Sequence, residues 1–563
     1  MTDARGLSYA KGPTDVPLLD ITIGQALDDA RRKWPEALAL VSRHQSICWT
    51  WSDLGGEVDS LACGLIGLGV IAGDRVAIWA PNCAEWTVVQ FATAKIGAIL
   101  VNINPAYRIT EVEFALNKTG CSVLITAPSF KSSNYIDMLL DLGAERLPQI
   151  RLMAALGLEE HAGFFPWAQL RAPVDQALLS EAAAGLEPDQ PINIQFTSGT
   201  TGSPKGATLT HRNILNNGYF IARAIKLTAG DRICIPVPLY HCFGMVGGNL
   251  AAVTSGAAMI YPAEAFNPRQ VLEAVEAEGC TALYGVPTMF IAILSEPDLD
   301  AIDVSTLRTG IMGGSPCPVV TMREVITRLN MREVTIVYGM TETSPVTTQT
   351  STEDPMEERV STVGRVHPHA EAKIVASDGV TVQLGEQGEY CSRGYAVMTG
   401  YWDDCKRTAE AIDVEGWMHS GDLGTMDGQG YVRITGRLKD LIIRGGENIS
   451  PREIEEFLYG HPAVEDVTVV GVPDARMGEE LCAWVRTRVG MEVDEQSIRS
   501  FCQGQIAHYK IPRHIRFVSE FPTTVTGKVQ KFVIRDIMLS ELEFSRANAE
   551  ESTHLGGTDP AQG

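Results

Sequence analysis

The 563-residue chain has no run of lysine or arginine longer than Arg31-Arg32-Lys33, and 46 basic residues against 69 acidic ones leave a formal net charge of −23. A surface of that sign repels a phosphate backbone, which argues against a nucleic-acid partner. The 12 cysteines include no Cys-x-x-Cys pair, and no apolar signal segment follows Met1-Thr2-Asp3-Ala4-Arg5. Reduced, mostly buried thiols and a cytoplasmic location are therefore expected. The sequence contains neither a short internal repeat nor a basic amphipathic helix that would argue for a membrane surface. Its one long uncharged stretch, Ile233 to Ala263, carries Pro236, Pro238, Asn249, Thr254, Ser255 and several glycines. These make a poor transmembrane span, and the stretch reads as buried core lining a pocket.

What is present is the composition of a soluble globular protein of two or more domains, 45% apolar and 20% charged. Short apolar strands alternate with helices. Asp74 to Ala80, Ala98 to Asn102 and Ser122 to Thr126 read as strands around a helix from Asn82 to Ile96. The alternation recurs in Arg232 to Val237, the helix Val271 to Glu278, Ala282 to Tyr284, Thr309 to Met312 and Thr335 to Val337. This pattern predicts an α/β fold with parallel sheets over most of the first 430 residues. Near Gly436 the texture changes. Ser450-Pro451-Arg452-Glu453 reads as a helix start with serine as N-cap, proline in the first position and glutamate in the third. It opens a smaller α+β domain with a strand at Val467 to Val472 and a helix at Glu495 to Gln503. The polar tail beyond about residue 545 reads as disordered.

The densest chemical signal is Thr197-Ser198-Gly199-Thr200-Thr201-Gly202-Ser203-Pro204-Lys205-Gly206, directly after the apolar run Ile192 to Phe196. Glycine-freed backbone N–H groups, several hydroxyls and one lysine suit a polyphosphate, against the alternative of a simple polar turn. It is not a Walker A loop, because Pro204 stands where that pattern needs glycine before the lysine. Gly67-Leu-Gly69-Val-Ile-Ala72 fits a dinucleotide fingerprint but closes a helical stretch, so a helix C-cap is the better reading. Gly313-Gly314-Ser315 resembles a nucleophile elbow, yet Pro316 has no N–H to build an oxyanion hole, which argues against a serine hydrolase.

With this loop, the chain also carries Tyr338-Gly339-Met340-Thr341-Glu342-Thr343, Gly400-Tyr401-Trp402, Gly416-Trp417-Met418-His419-Ser420-Gly421-Asp422-Leu423, Gly436-Arg437-Leu438-Lys439-Asp440, Gly445-Gly446-Glu447-Asn448-Ile449 and Thr526-Gly527-Lys528. In this order and spacing they resemble the acyl-adenylate-forming family, which includes acyl-CoA synthetases, firefly luciferase and peptide-synthetase adenylation domains. Ser420 departs from the threonine usual before Gly-Asp but keeps a hydroxyl. The resemblance implies a large N-terminal AMP-binding domain (1–436), a hinge (437–441) around Lys439, and a mobile C-terminal domain (442–545). It implies ATP, Mg²⁺ and coenzyme A as the small molecules used. Tyr338 would stack on adenine, Thr341 bond the α-phosphate and Glu342 hold Mg²⁺. Gly313, Gly314 and Ser315 would admit adenine to the backbone. Asp422 and Arg437 would hold the ribose, Lys528 would place a cation on the charge developing at the α-phosphate, and Gly445-Gly446 would line the thiol's path.

Tyr240-His241-Cys242 occupies the place where amino-acid-activating members of the family carry an aromatic residue followed by aspartate. A neutral thiol cannot compensate a buried ammonium, so an α-amino acid is disfavoured. Met245 to Gly248 and Tyr284-Gly285-Val286-Pro287-Thr288-Met289-Phe290 read as an apolar tunnel, and a fatty acid fits it best. The likeness is nearest to medium-chain-type fatty-acyl-CoA synthetases. His241 is expected beside the reacting carboxylate, where it helps gate the thiol. The alternatives are an aryl, cinnamate-like acid as substrate, a P-loop phosphotransferase, or a non-catalytic acyl- or nucleotide-binding relative. Intact Lys528, Glu342 and Asp422 argue against the last. No carrier signature follows the small domain, so free coenzyme A is the expected acceptor. Oligomeric state and peripheral membrane contact are not readable from these residues.

Overall fold

The computed structural model describes residues 6–157, 160–197, 204–474, 476–491, 493–524 and 527–541. Ser198, Gly199, Thr200, Thr201, Gly202 and Ser203 of the phosphate loop, and the tail read as disordered, lie outside the described residues. The chain divides into two compact units. One comprises residues 1–420 and 424–434, the other 421–423 and everything from Thr435 onward.

The larger unit is built on two mostly parallel sheets and a third sheet. The first runs Phe165–Pro166, Leu152–Ala155, Val123–Thr126, Arg75–Trp79, Ile99–Asn102, Pro191–Thr197, Lys205–Thr210 and Gly400–Tyr401. It is parallel up to Pro191–Thr197, and its last two strands are antiparallel. The second places Thr309–Gly313, Ala282–Gly285, Arg232–Cys234, Ala258–Tyr261 and Leu38–Ser42 side by side in parallel, with Glu333–Gly339 beyond Thr309–Gly313. The expected strand–helix alternation is thus present, with ends displaced by a few residues. The Arg232 to Val237 strand closes at Cys234. Ile235 still donates to the Ile260 carbonyl, but Pro236 has no N–H to extend the ladder.

The helix Ala84–Lys95 is buried on all sides except at Glu85, as its near-continuous apolar sequence demands. Its one cation, Lys95, lies 2.5 Å from Asp59 and 2.6 Å from Asp28, and Asp59 also takes Arg31 at 2.9 Å, so the charge enters the core fully paired. The helix Trp51–Gly67 starts with a Thr50/Asp53 capping box, and Gly69 follows its end at φ +79°. Gly67-Leu-Gly69 is therefore a helix terminus and not a dinucleotide loop.

The third sheet runs Tyr9–Lys11, Ala370–Val375, Gly388–Gly394, Met418–Met426 and Val432–Arg437, and its first three strands pair antiparallel. The sequence reading missed it, because its strands carry charged residues such as Glu371, Lys373, Glu389 and Arg393 on one face.

Ile233 to Ala263 contains Phe243–Leu250, a π-helix with every residue buried, followed by the α-helix Ala251–Ser255. Among the described residues no helix is long and apolar enough to cross a membrane.

The smaller unit has the order Glu447–Ile449, Ile442–Arg444, Gly478–Thr487, Val464–Asp474, with His514–Phe517 parallel to Gly478–Thr487. The helix Pro451–Leu458 starts where the sequence places it, but the Ser450 hydroxyl does not cap it. That hydroxyl donates instead to the Thr435 carbonyl at 2.5 Å. Proline at the first helical position leaves one fewer unsatisfied N–H at this helix start.

Candidate active site

Phosphate-loop geometry begins with its two anchors. Pro191–Thr197 and Lys205–Thr210 pair antiparallel with Thr197 opposite Lys205, so the loop leaves and re-enters one ladder at adjacent positions. The Thr197 hydroxyl donates to Glu342 Oε1 at 3.4 Å. Tyr401 donates to the same oxygen at 2.8 Å, and Lys205 Nζ lies 4.9 Å from the Tyr401 ring centroid. The loop anchors and the Tyr338–Thr343 segment, distant in sequence, therefore meet around one carboxylate that is 6% exposed. Burial first, and then the Glu342 charge, pushes the Tyr401 phenol well above its ordinary value, so it keeps its proton and donates.

Glu342 is aimed by the turn that carries it. The strand Glu333–Gly339 ends at Gly339, where a side-chain Cβ would stand 1.8 Å from the Pro345 carbonyl oxygen, and only glycine fits that approach. Met340 then leads into the short 3₁₀ turn Thr341–Thr343. The Thr343 hydroxyl bridges the turn, accepting from the Met340 N–H at 3.1 Å and donating to the Met340 carbonyl at 3.0 Å. Thr341 is buried, with its hydroxyl 3.8 Å from Cys242 Sγ. This brings the Tyr240–Cys242 segment to the same turn. Tyr338 is half-buried and packs edge-on to Tyr390, with centroids 5.2 Å apart.

His241 Nδ1 accepts the backbone N–H of Phe243 at 3.2 Å and lies 3.6 Å from Cys242 Sγ. With Nδ1 taken as an acceptor, the proton of the neutral ring sits on Nε2. His241 therefore offers a hydrogen-bond donor and not a base. Beyond it, Phe243 and Tyr284 stack at 6.0 Å, with Val286 and Met289 buried in the same core. Gly313 closes its strand, Gly314 follows at φ +87° and is exposed, and Ser315 is half-buried.

Within the smaller unit, Arg437 Nε donates to Asp422 Oδ1 at 2.7 Å. Lys439 lies in the exposed 3₁₀ turn Leu438–Asp440. Gly445 and Gly446, at φ +60° and +92°, form a two-residue turn in a hairpin that pairs Arg444 with Glu447. Positive φ at both central residues is the type I′ signature, for which glycine carries no steric penalty. Lys528 is half-buried in a tight turn: its N–H donates to the Thr524 hydroxyl at 3.1 Å, and its carbonyl accepts from the Thr524 N–H at 2.8 Å. An open groove of about 670 Å³, lined by residues such as Met491, Asp494 and Phe517, contains none of these side chains.

Residues 27–402 match the AMP-binding enzyme family and residues 453–528 match the AMP-binding enzyme C-terminal domain. The chain belongs to the AMP-binding enzymes. Among its relatives is the Bacillus subtilis (strain 168) protein YngI, whose name assigns it to the acyl-CoA synthetases. The two are 48% identical over 535 residues, covering 92% of this chain and 97% of that one. The Danio rerio mitochondrial medium-chain acyl-CoA ligase ACSF2 is 44% identical over 546 residues, covering 94% of this chain and 90% of that protein. In three dimensions the chain is similar to the anthranilate CoA ligase AuaEII in complex with anthranoyl-AMP. That match has a TM-score of 0.84 and 25% identity, and covers 93% of this chain and 98% of the other. In this AMP-binding enzyme the sequence reading missed Tyr401 as a site residue. The Gly400-Tyr401-Trp402 motif was visible, but nothing in it said that the phenol would meet Glu342.

The oxygen donors of Glu342 and Thr197, 3.4 Å apart, fit a hard divalent cation such as Mg²⁺. In that setting the ion would neutralise phosphate charge.

Proposed function

We propose that the protein is a fatty acid:CoA ligase. It activates a medium- to long-chain fatty acid with ATP to an enzyme-bound acyl-adenylate, and transfers the acyl group to coenzyme A with release of pyrophosphate and AMP. The observation that carries this reading is the buried Glu342 accepting from Thr197 and Tyr401, with Lys205 beside the Tyr401 ring and Cys242 beside the adjacent Thr341. Anion-binding hydroxyls and a cation stand here beside a thiol where an amino-acid substrate would need a carboxylate. The names of YngI and ACSF2 support the same activity and, for ACSF2, the medium-chain class.

In the proposed mechanism the phosphate loop and Lys205 hold the triphosphate, with Glu342 as Mg²⁺ ligand. His241 Nε2–H donates to the substrate carboxylate, Thr341 bonds the α-phosphate, Tyr338 stacks on adenine, and Asp422 with Arg437 binds the ribose. Gly445-Gly446 borders the path of the thiol. The free, mostly buried cysteines suit the cytoplasm proposed as its compartment.

The test is a carboxylic-acid panel read by pyrophosphate release, with and without coenzyme A. From acetate upward, kcat/KM is expected to rise about fourfold per added methylene, at roughly 0.8 kcal/mol each, until the acyl site is filled. Phenylalanine or acetate turning over as well as decanoate would overturn the reading. Better turnover of cinnamate would favour the aryl-acid alternative, which the AuaEII match supports in kind.

A second expectation concerns Lys439, proposed as the hinge between the two half-reactions. Lys439→Pro fixes φ near −65°. It is expected to spare adenylation and slow thioester formation, with Lys439→Ala mild, because a hinge acts through its backbone. Single-turnover pyrophosphate release beside acyl-CoA formation from supplied acyl-AMP measures the split. Equal slowing of both halves in folded Lys439→Pro would remove the hinge role.

A further inference from the structure

The third sheet of the larger unit holds a cluster that the proposed chemistry does not use. Glu389 and Cys391 are two positions apart on the strand Gly388–Gly394 and so share one face. The neighbouring strand Met418–Met426 places His419 Nδ1 2.9 Å from Glu389 Oε2 and 3.4 Å from Cys391 Sγ. The three ligand atoms all lie within 4.8 Å of one another. On the far side of the same ring, Nε2 is 3.6 Å from Asp413 Oδ2. Asp413 is itself fixed, because its other oxygen accepts the backbone N–H groups of Glu415 and Trp417, both at 2.9 Å.

We propose that Cys391, His419 and Glu389 form a binding site for a borderline-soft divalent transition ion of the zinc class, separate from the phosphate-binding region. Four arguments support it. A tetrahedral zinc site sets ligand edges of about 3.3–3.7 Å, so the two edges from His419 need open by only a few tenths of an ångström and the Cys391–Glu389 edge, within 4.8 Å, closes by at most about an ångström. One thiolate, one imidazole and one carboxylate select zinc-like ions over Mg²⁺, which takes oxygen donors. Asp413 Oδ2 faces the second ring nitrogen at 3.6 Å, so the ring proton now shared between Nδ1 and Glu389 at 2.9 Å moves to Nε2 on the Asp413 side when Nδ1 takes the ion, giving the carboxylate–histidine arrangement of metal sites. Cys391 is 0% exposed whereas the His419 and Glu389 side chains are 32% and 20% exposed, so the cluster has a closed floor and an open mouth for entry and a fourth, water ligand.

Two cations face the cluster. Lys373 pairs across the ladder from Cys391, with its Nζ 4.4 Å from the Trp417 ring centroid. Arg393 lies 4.5 Å from the same centroid and pairs with Glu371 at 2.7 Å. The indole face and Glu371 hold these charges, and the carboxylates of Glu389 and Asp413 together with a Cys391 thiolate offset them. Burial, with Glu389 beside it, pushes the Cys391 thiol up to about 12. It is therefore protonated without metal, and on coordination the sulfur–metal bond replaces the S–H bond and one proton leaves to solvent.

The experiment uses the full chain with the exposed Cys48 and Cys405 changed to serine, which removes competing surface thiols. The chelator-stripped protein is titrated with Co²⁺ in excess Mg²⁺. Expected is one equivalent bound with a thiolate-to-cobalt charge-transfer band, displaced by one equivalent of Zn²⁺. Cys391→Ser should abolish the band, and His419→Gln, at a partly exposed position, should weaken binding at least about tenfold. Asp413→Asn should weaken it by roughly 10–100-fold while keeping the band. Circular dichroism confirms that each variant is folded, and His419→Gln carries the test if Cys391→Ser is not. No charge-transfer band, a band that survives Cys391→Ser, or unchanged affinity in His419→Gln would each overturn the proposal.

Discussion

Replacing Lys528 with alanine is expected to slow acyl-adenylate formation by about 10²–10³-fold, the usual cost of removing one charge-stabilising group from a transition state. Thioester formation from supplied acyl-AMP should be largely unchanged. The turn around Lys528 makes this a clean measurement. Its bonds to Thr524 use the Lys528 backbone N–H and carbonyl, and alanine keeps both. A loss of rate then does not come from losing these two backbone bonds. The proposed reason for the asymmetry is chemical. A carboxylate attacking a polyphosphate brings anion to polyanion, whereas a thiol attacking an acyl-adenylate expels AMP and does not need that cation in place. Pyrophosphate release in a single turnover, beside acyl-CoA formed from acyl-AMP, reads the two steps. Equal loss in both by a folded variant would remove Lys528 from its assigned role.

The second large effect is expected at Glu342. Glu342→Gln keeps an oxygen to accept from Tyr401 and Thr197 but removes the charge. Pyrophosphate release should fall by about 10²–10³-fold, several kcal/mol of lost charge stabilisation, and half-maximal rate should need more Mg²⁺. The melting temperature should scarcely move. Glu342→Ala should lose the same activity and also leave the buried Tyr401 hydroxyl without its acceptor, at a cost of about 1–3 kcal/mol in stability. Comparing the two by activity and thermal melting separates the catalytic part of the carboxylate from its structural part. If Glu342→Gln retained wild-type activity, the metal-ligand role would be lost.

Legibility in the sequence followed the range of the interactions. Strand–helix alternation is written locally, because a parallel strand buried on both faces must be apolar and its crossover helix must be amphipathic or buried. The segments around Arg75–Trp79 and Ala84–Lys95 were readable for that reason. The third sheet was not, since Glu389 and Arg393 on one of its strands are charged residues that pair with His419 and Glu371 from other strands. Ser450 was placed correctly at a helix start, yet its hydroxyl goes to Thr435, a partner that no local pattern names. At the site, chemistry-bearing residue types could be picked out, but their mutual arrangement could not. The Tyr401–Glu342 bond, the Thr341–Cys242 contact and the Nδ1 acceptor that fixes the His241 tautomer depend on chain segments meeting. The π-helix at Phe243–Leu250 was equally hidden. Part of its setting is tertiary, with Gln90 donating to the Met245 carbonyl at 3.2 Å from another helix.

The strand Lys205–Thr210 lies between Pro191–Thr197 and Gly400–Tyr401, with Ala207 opposite Tyr401 and Gly206 accepting from the Trp402 N–H. On the ribosome its two neighbours are made far apart in time. At about 5–20 residues per second, roughly 10–40 s separate synthesis of Thr197 from that of Tyr401. During that interval the strand Lys205–Thr210 lacks its Gly400–Tyr401 neighbour, and Glu342, made 59 residues before Tyr401, waits roughly 3–12 s for the phenol that donates to it. The proposed Mg²⁺ ligand thus gains its phenolic donor only once a strand from about 200 residues further along the chain has joined the sheet.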